Sequence, residues 1–451
     1  MSPEERAFLR EFFQHLNDRP LEPDDEFYVH LYESNELSDD DPVELLARGI
    51  EWTPGESVQL FSGYRGSGKS TELRRLRRRL QQSGYLVGLI DLKDFVNLSQ
   101  PIDITDFLMA LCGGLSELLD DKEFLGKDPK RESYWKRFSH FLTKTDVEFK
   151  ELSGKAGPVD LKLGLKSDPS FKQHLQRRMS GHLGALVEDV RAYLTDCFAK
   201  LTRKHKKAAG VVLLLDSLEQ LRGTSTTAEE VHNSVENLFA GHADKLCLPH
   251  LHVVYTVPPY LRVKYQDLGS LYNPGGLQVL PALKVRDQKG KAFKPGLKAA
   301  AELVARRGEW KKVLANRATL DRLILASGGH LRDLLRLLAE ILRRATRFPV
   351  TPETVESAIE QIRSEFLPIA DQDARWLDRV ARTHRASLSD TSRLPDLARF
   401  LDTHVVLCYR NGAEWYDVHP LIRESVAEQA GALGDAAPHE SDDDGPSENG
   451  E

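Results

Sequence analysis

The sequence is poor in cysteine and contains no long apolar run. Its 451 residues include four cysteines, none of which stands in a C-x-x-C pair: Cys112, Cys197, Cys247 and Cys408. This spacing argues against a zinc site or a disulfide framework and fits a reducing cytoplasm. No stretch approaches the roughly 18 uncharged apolar residues of a membrane span, and the N-terminus has no apolar signal core. We therefore expect a cytoplasmic protein with no membrane partner.

Positive charge is missing from the C-terminal end. The last 20 residues carry seven acidic residues and no lysine or arginine, which accounts for the whole net charge of −7. Because this end has almost nothing to bury, residues 431–451 are predicted to form a disordered acidic tail. Such a tail increases solubility, or it imitates a nucleic-acid backbone or covers a basic surface.

Basic residues are concentrated in one stretch of the chain. Between Lys284 and Arg347 there are 17 basic and six acidic residues, a local net charge of +11. This stretch is the best electrostatic candidate for contact with phosphates, whether of a nucleotide or of nucleic acid. The alternative is a set of helices whose solvated faces are basic.

Apolar runs alternate with helical patterns over residues 51–290. Strands are predicted within 57–62, 85–92, 210–221, 251–261 and 276–283, and a helix is predicted from Lys69 to Gln82. The run GVVLLLD is typical of a central parallel strand that is buried on both faces. This alternation predicts an α/β core with a parallel sheet between layers of helices. Residues 1–50 are expected to form an N-terminal helical segment, and residues 291–368 a helical lid.

Residues 121–175 interrupt this rhythm and are interpreted as an insertion. Within it, DVEFKEL and VDLKLGL alternate apolar and polar residues around SGKAGP, which predicts a β-hairpin. One long helix is predicted to follow, from about Gln173 to His205.

Residues 369–430 have a different pattern. Two helical stretches lead into HVVLCYRNGAEWYDVHP, where Asn411 and Gly412 separate two strand-like runs. An Asn-Gly pair in this position predicts a hairpin turn. Helices followed by a two-stranded ribbon indicate a winged-helix domain.

A glycine-rich loop lies between the first predicted strand and the helix after it. The sequence GYRGSGKS fits the phosphate-binding pattern G-x-x-x-x-G-K-[ST] at every fixed position. The glycines let successive backbone N–H groups point at a phosphate, and the helix N-terminus adds the positive end of its dipole. The predicted nucleotide-binding residues are Gly63, Tyr64, Arg65, Gly66, Ser67, Gly68, Lys69, Ser70 and Thr71.

Individual side chains in and near this loop have predicted roles. Lys69 is expected to bridge the β- and γ-phosphates, Ser70 to ligate Mg²⁺, and Thr71 to contact the α-phosphate. Asp216 ends the most apolar strand of the chain. We expect Asp216 to hold the same Mg²⁺ through its water shell.

The water-activating carboxylate is less clearly marked than the phosphate loop. Ser217 follows Asp216, at a position where many ATPases have a glutamate, and the nearest carboxylate is Glu219. We predict that Glu219 polarises the attacking water. The alternative is that Glu219 is an acidic residue at the start of a helix, which leaves nucleotide binding better supported than hydrolysis.

With both motifs in place, the chain resembles the ASCE P-loop ATPases of the AAA+ and STAND type, over roughly residues 30–430. The resemblance implies a P-loop NTPase with a three-layer parallel sheet and a helical lid, followed by a winged-helix domain. It also implies ATP as the nucleotide, and no guanine-specifying N-K-x-D occurs in the sequence. By the same resemblance, the strand that lies between the two motif strands carries a sensor-1 residue at Thr256. Arg332, in SGGHLRDLLRLLAEIL, corresponds to a sensor-2 arginine near the γ-phosphate.

Two functions remain open at this point. In the first, ATP clamps the lid through Lys69 and Arg332, and the chain is a regulatory switch. The switch would act on a protein partner or on self-assembly, and the resemblance suggests bacterial conflict or defence systems. A small-molecule kinase is a poor third reading, because such folds are usually shorter and have no winged helix.

In the second function the winged helix holds duplex DNA, and the chain is a DNA-binding AAA+ ATPase of initiator type. The expected DNA contacts are Arg393, Arg399, Tyr409 and Arg410. Asp396, Asp402 and the acidic, aromatic wing argue instead for protein contact, with Trp415 and Tyr416 as packing residues.

Overall fold

A five-stranded parallel sheet is the centre of the structure. The computed structural model describes residues 2–32, 37, 40–127, 158–179, 181–223, 226–272, 276–387 and 393–435. Its strands are β1 (Ser57–Gly63), β2 (Leu86–Asp91), β3 (Val211–Asp216), β4 (His252–Val257) and β5 (Leu277–Leu280). They lie in the order β2-β3-β4-β1-β5, and each neighbouring pair is parallel. β4 thus lies between β1 and β3, as the resemblance implies for the strand that ends near Thr256.

Helices cover both faces of the sheet. The N-terminal and core helices are α1 (Pro3–His15), α2 (Pro42–Glu51), α3 (Lys69–Gln82), α4 (Ile104–Leu119), α5 (Pro158–Ser167), α6 (Pro169–Met179), α7 (Leu183–Lys204), α8 (Ala228–Glu236), α9 (Ala243–Leu246) and α10 (Pro259–Lys264). Val212 and Leu214 of β3 pack in the same cluster as α2 and α3, and Leu213 and Leu215 pack with α4 and α7 on the other face. Successive residues of a strand point to opposite faces, so a continuous apolar run needs both layers. The predicted three-layer α/β P-loop fold is confirmed.

The predicted hairpin in the 121–175 insertion is wrong in its second half. VDLKLGL lies in α5, which packs against α4, and the side chain of Leu165 is buried in the main core. A short apolar pattern does not by itself distinguish strand from helix, and packing against a neighbouring helix decides between them. The first half, DVEFKEL, lies outside the described residues. The predicted long helix is also divided, because α6 ends at Met179 and α7 begins at Leu183.

A helical bundle follows the sheet. Its helices are α11 (Lys294–Arg307), α12 (Trp310–Val313), α13 (Arg317–Ala326), α14 (Leu331–Arg344) and α15 (Pro352–Ser364). They share a separate apolar core, to which α1 contributes Phe12. We refer to α11–α15 as the lid. Among the described helices, none has the length and apolar character needed to cross a membrane.

In the described part of the C-terminal region, three α-helices accompany one antiparallel ribbon. The elements are α16 (Asp371–Thr383), α17 (Leu394–Asp402), β6 (Val406–Asn411), β7 (Ala413–Val418) and α18 (Arg423–Asp435). β6 and β7 pair with Asn411 opposite Ala413, so Gly412 is at the turn, where its φ is +77°. We call β6 and β7 the ribbon. The predicted helices and hairpin are present, while the winged-helix assignment stays a proposal.

Candidate nucleotide site

The loop of residues 63–70, called the glycine loop below, connects β1 to α3. Gly66 and Gly68 have φ values of +86° and +99°, which L-residues with side chains rarely adopt. A Cβ on Gly66 would lie 2.6 Å from the Cβ of Arg332, so the loop and the lid approach too closely there for a side chain. Gly68 is the N-cap residue of α3, and the helix N-terminus therefore opens onto the loop.

Lys69 is buried at the centre of this loop. Its Nζ donates hydrogen bonds of 2.6 Å to the carbonyl oxygens of Gly63 and Tyr64, and it lies 3.5 Å from Oε1 of Glu219. Burial lowers the pKa of Lys69, while the charges of Glu219 and Asp216 oppose this shift. The structure therefore brings together the predicted phosphate-binding lysine and the predicted catalytic carboxylate.

Asp216, at the carboxyl end of β3, meets Ser70 in the first turn of α3. Asp216 is buried, it accepts a hydrogen bond from the Ser70 side chain, and it accepts a 2.8 Å bond from the backbone N–H of Ser217. Desolvation, followed by the nearby charge of Glu219, raises the pKa of Asp216. A carboxylate and a hydroxyl side by side are oxygen ligands suited to Mg²⁺, so the residues present fit the predicted ion.

Glu219 is held in place by the turn that follows β3. Ser217 has a left-handed φ of +74°, and the turn continues through Leu218. Oε2 of Glu219 is buried and has no hydrogen-bond partner among the described residues. A buried carboxylate oxygen without a partner is costly unless another group binds it, so Oε2 of Glu219 is suited to accept a hydrogen bond from a water or a ligand.

Thr256 lies at the predicted edge of the sheet, but its hydroxyl is already engaged. It donates a 3.2 Å hydrogen bond to the carbonyl of Leu215 and accepts a 3.1 Å bond from the N–H of Leu218. The side chain is fully buried. Thr256 thus supports the turn that carries Glu219, and its contact with a nucleotide stays a prediction.

The first turn of the lid helix α14 lies on the glycine loop. The N–H of Arg332 donates to the carbonyl of Gly66 at 3.3 Å, and Nε2 of His330 donates to the carbonyl of Arg65 at 2.8 Å. The Arg332 guanidinium pairs with Asp18. The predicted sensor arginine is therefore at the loop, and its position is fixed through its backbone as well as its side chain.

A pocket extends from the glycine loop between the lid and the N-terminal part of the chain. Residues 16–32, called the 16–32 segment below, form one of its walls. The lining includes Leu21, Phe27, Tyr28, Leu31, Tyr32, Gly66, Ser67, Gly68, Thr71, Leu303, Leu331 and Leu335. Thr71 Oγ1 accepts a hydrogen bond of 3.1 Å from the N–H of Leu21, which ties this segment to α3. Sequence reasoning did not assign this wall, although the aromatic residues in EFYVHLY were a usable signal.

A buried charge cluster joins the lid to the C-terminal region. Oδ2 of Asp333 lies 2.8 Å from Nδ1 of His330 and 3.2 Å from Nε2 of both His404 and His419. We call these four residues the charge cluster. Both nitrogens of His330 face oxygen atoms that only accept, namely Asp333 and the Arg65 carbonyl.

The environment of the charge cluster separates its charged from its neutral members. Desolvation would raise the pKa of Asp333, but the charge of His330, its 2.8 Å hydrogen bond and the nearby nitrogens of His404 and His419 hold this pKa well below its usual range. Desolvation lowers the pKa of His404 to about 4 and also lowers that of His419. The rings of His330 and His404 are stacked, with an interplanar angle of 14° and ring centroids 4.4 Å apart.

The ribbon packs directly against the glycine loop and the lid. Tyr64 lines the same buried cleft as Cys408 and Tyr416. Tyr409 Oη donates a 2.6 Å hydrogen bond to the carbonyl of Gly328, and the N–H of Ala282 donates one of 3.0 Å to the carbonyl of Cys408. The C-terminal region therefore contacts both sides of the candidate site.

The residues expected to contact DNA are mostly engaged within the protein. Arg393 and Arg399 lie 2.8 and 3.5 Å from carboxylate oxygens of Asp396, and each also approaches Asp373. Tyr409 is 1% exposed. Arg410 lines an open groove at the ribbon turn. The predicted packing residue Trp415 is buried, as expected for a protein-facing ribbon.

Comparisons with known proteins give structural likeness alone. No protein-family profile matches the chain, and no curated protein does. The structure is similar to that of the Aeropyrum pernix ORC2 protein in its ADP form, at 12% identity and a TM-score of 0.45, covering 93% of this chain and 98% of that one. The ADPNP–ADP complexes of the same protein give 12% identity, a TM-score of 0.39, and coverage of 90% and 98%. For Drosophila ORC bound to DNA, the sequence identity is 12% and the TM-score 0.35, and the match covers 95% of this chain and 93% of that one. Likeness at this level leaves function to be argued from the site itself.

Proposed function

We propose that the chain is an Mg²⁺-dependent ATP-binding and ATP-hydrolysing switch of the AAA+/STAND type. The observation that carries the proposal is the direct bonding of the lid to the glycine loop, through Arg332 N–H to Gly66 and His330 to Arg65. A group bound at this loop alters the surroundings of the same peptide groups that hold α14. The ribbon is bonded to the lid at Gly328 and would follow it.

The chemistry assigned to the site follows from its donors. Lys69 and the backbone N–H groups of the glycine loop would hold the phosphates, and Ser70 and Asp216 would hold Mg²⁺. The metal supplies charge neutralisation at the phosphates when it is bound. Glu219 would accept the proton of the attacking water, since it is the buried carboxylate beside Lys69 with an oxygen left free of hydrogen bonds.

A switch requires different γ-phosphate contacts in its two states, because a ligand shifts an equilibrium only through its differential affinity. Arg332 is the residue that we assign to this discrimination, since it belongs to the lid and lies against Gly66. The winged-helix region is the proposed output, through contact with a protein partner or a second copy of the chain.

The test has two parts. ATP binding is measured by calorimetry for the wild type, Lys69→Ala, Glu219→Gln and the exposed control Lys206→Ala. We expect loss of binding only in Lys69→Ala, and loss of hydrolysis with retained binding in Glu219→Gln. Amide hydrogen exchange is then compared with ATP and with ADP. Protection that differs in α14 and in the ribbon supports a switch, and ATP binding without any difference there contradicts it.

A second candidate is a DNA-binding ATPase of initiator type. It is favoured by basic residues at and just before the start of the lid, where Lys289, Lys291, Lys294 and Lys298 are exposed and form no ion pair with another described residue. Anisotropy with labelled duplex at two salt concentrations tests it, because phosphate contacts give a steep salt dependence. Loss of binding in Lys294→Glu with Lys298→Glu, and ATP hydrolysis stimulated by DNA, would favour this candidate over a protein-facing switch.

A further inference from the structure

A carboxylate of the chain itself lies where the phosphates of a nucleotide are predicted to bind. Asp18, in the 16–32 segment, forms an ion pair with the guanidinium of Arg332, and both residues line the pocket beside Gly66 and Gly68. The Arg332 side chain lies directly over the loop, since its Nε is 2.9 Å from where a Cβ on Gly66 would be. Asp18 therefore pairs with a guanidinium of the lid that lies against the glycine loop.

Positive charges predominate around Asp18, although the carboxylate of Glu72 also lines the pocket. The pocket is also lined by Arg19 and Arg307, and Arg65 lies close enough to Arg332 for their charges to interact. Desolvation, and then the positive charges of Arg222 and Arg332, lower the pKa of Arg65. Nε of Arg65 is buried without a hydrogen-bond partner in the described part of the chain. Guanidinium groups gathered in this way attract carboxylate and phosphate oxygens alike.

The 16–32 segment is attached to both sides of the pocket by bonds that do not involve Asp18. The backbone N–H of Leu21 donates a hydrogen bond to the hydroxyl of Thr71 in α3. Arg306 of α11 donates a 2.6 Å hydrogen bond to the carbonyl of Tyr28. Loss of the Asp18 carboxylate therefore leaves the segment tethered. The charge of Asp18 can be tested separately from the fold.

We propose that Asp18 is a built-in competitor for the phosphates of the nucleotide, and that its release from Arg332 couples nucleotide binding to the 16–32 segment. The inference rests on the proposed function, because it requires a nucleotide in this pocket. A phosphate oxygen that binds Arg332 replaces the Asp18 carboxylate. The segment then loses one of its contacts with the lid, and the N-terminal end of the chain reports the nucleotide state.

The experiment compares the dissociation constants of ATP, ADP and adenosine for the wild type and Asp18→Asn. An ion pair as exposed as this one contributes up to about 1 kcal/mol, so we expect ATP and ADP to bind up to about fivefold more tightly to Asp18→Asn. Adenosine, which has no phosphate, should bind both proteins equally. The matched control is Asp24→Asn, since Asp24 lies on the same segment as Asp18, pairs with Arg78 of α3 and does not line the pocket.

A double-mutant cycle assigns the effect to the contact itself. In an Arg332→Gln background, Asp18→Asn should improve ATP affinity much less than in the wild type. An equal improvement in both backgrounds, or in Asp24→Asn, overturns the inference, as does unchanged ATP affinity in Asp18→Asn. If neither the wild type nor Asp18→Asn binds ATP, the proposed function itself is wrong. ATP binding that appears only in Asp18→Asn would support both the proposed function and the role of Asp18 as a competitor.

Discussion

Acidification should destabilise the protein through the charge cluster, because folding lowers the pKa of His404 to about 4 and lowers that of His419 as well. The unfolded chain holds these histidines near their ordinary pKa of about 6.5. Between these values the unfolded state binds more protons than the folded state, so stability falls as the pH falls from about 6.5 towards 4. Asp333 acts in the same direction at lower pH, because its folded pKa is also depressed.

The size of this effect can be worked out for His404. Its side chain is 22% exposed, so burial is the main cause and screening is limited. A base with a pKa of about 6.5 unfolded and about 4 folded costs about 2 kcal/mol of stability at pH 5 relative to pH 8. For a folded protein of ordinary stability, this is a large fraction of the free energy of unfolding.

The measurement is the free energy of unfolding from urea titrations at pH 8, 6 and 5, for the wild type, His404→Gln and His182→Gln. His182 is exposed and serves as the control. His404→Gln should lose about 2 kcal/mol less than the wild type on going from pH 8 to pH 5, whatever its absolute stability. Equal losses in the wild type and His404→Gln would refute the reasoning, because the proton uptake would then occur elsewhere.

Two further predictions concern close contacts around the site. Gly66→Ala should weaken ATP binding more than Gly68→Ala, because both residues have positive φ but only the added Cβ at 66 collides with the lid arginine, while the nearest atom at 68 is 3.8 Å away. Equal losses of affinity by calorimetry would show that backbone strain alone is responsible. Tyr409→Phe should cost about 1–2 kcal/mol of unfolding free energy, because the buried carbonyl of Gly328 loses its donor, whereas Tyr265→Phe in a surface groove should cost much less.

The sheet and the glycine loop follow closely from the sequence, because their signals are local. β3 is an uninterrupted apolar run, and α3 begins and ends at the predicted residues, Lys69 and Gln82. The leucines at 73, 76 and 80 lie on one buried face, as their spacing predicts. Local periodicity needs no knowledge of distant contacts, so the layers of the core could be predicted.

The charge cluster and the pocket wall could not be predicted in this way. His404 and His419 are single histidines far along the chain from Asp333, and neither belongs to a spacing pattern. Asp18 and Arg332 are separated by 314 positions. The helix α5 was predicted as a strand, because seven residues of alternating character do not specify their packing partner.

The position of the charge cluster has a consequence for how the chain could be divided. Truncation after residue 368, at the predicted start of the winged-helix region, would remove His404 and His419, which lie against Asp333. It would also remove the ribbon, which packs beside Tyr64. The remaining part, which holds the sheet and the lid, would then expose an ionised aspartate and an apolar face that the intact chain keeps from water. The C-terminal region is therefore part of the same folding unit as the site, and a partner that pulled on the ribbon would act on the glycine loop without any linker in between.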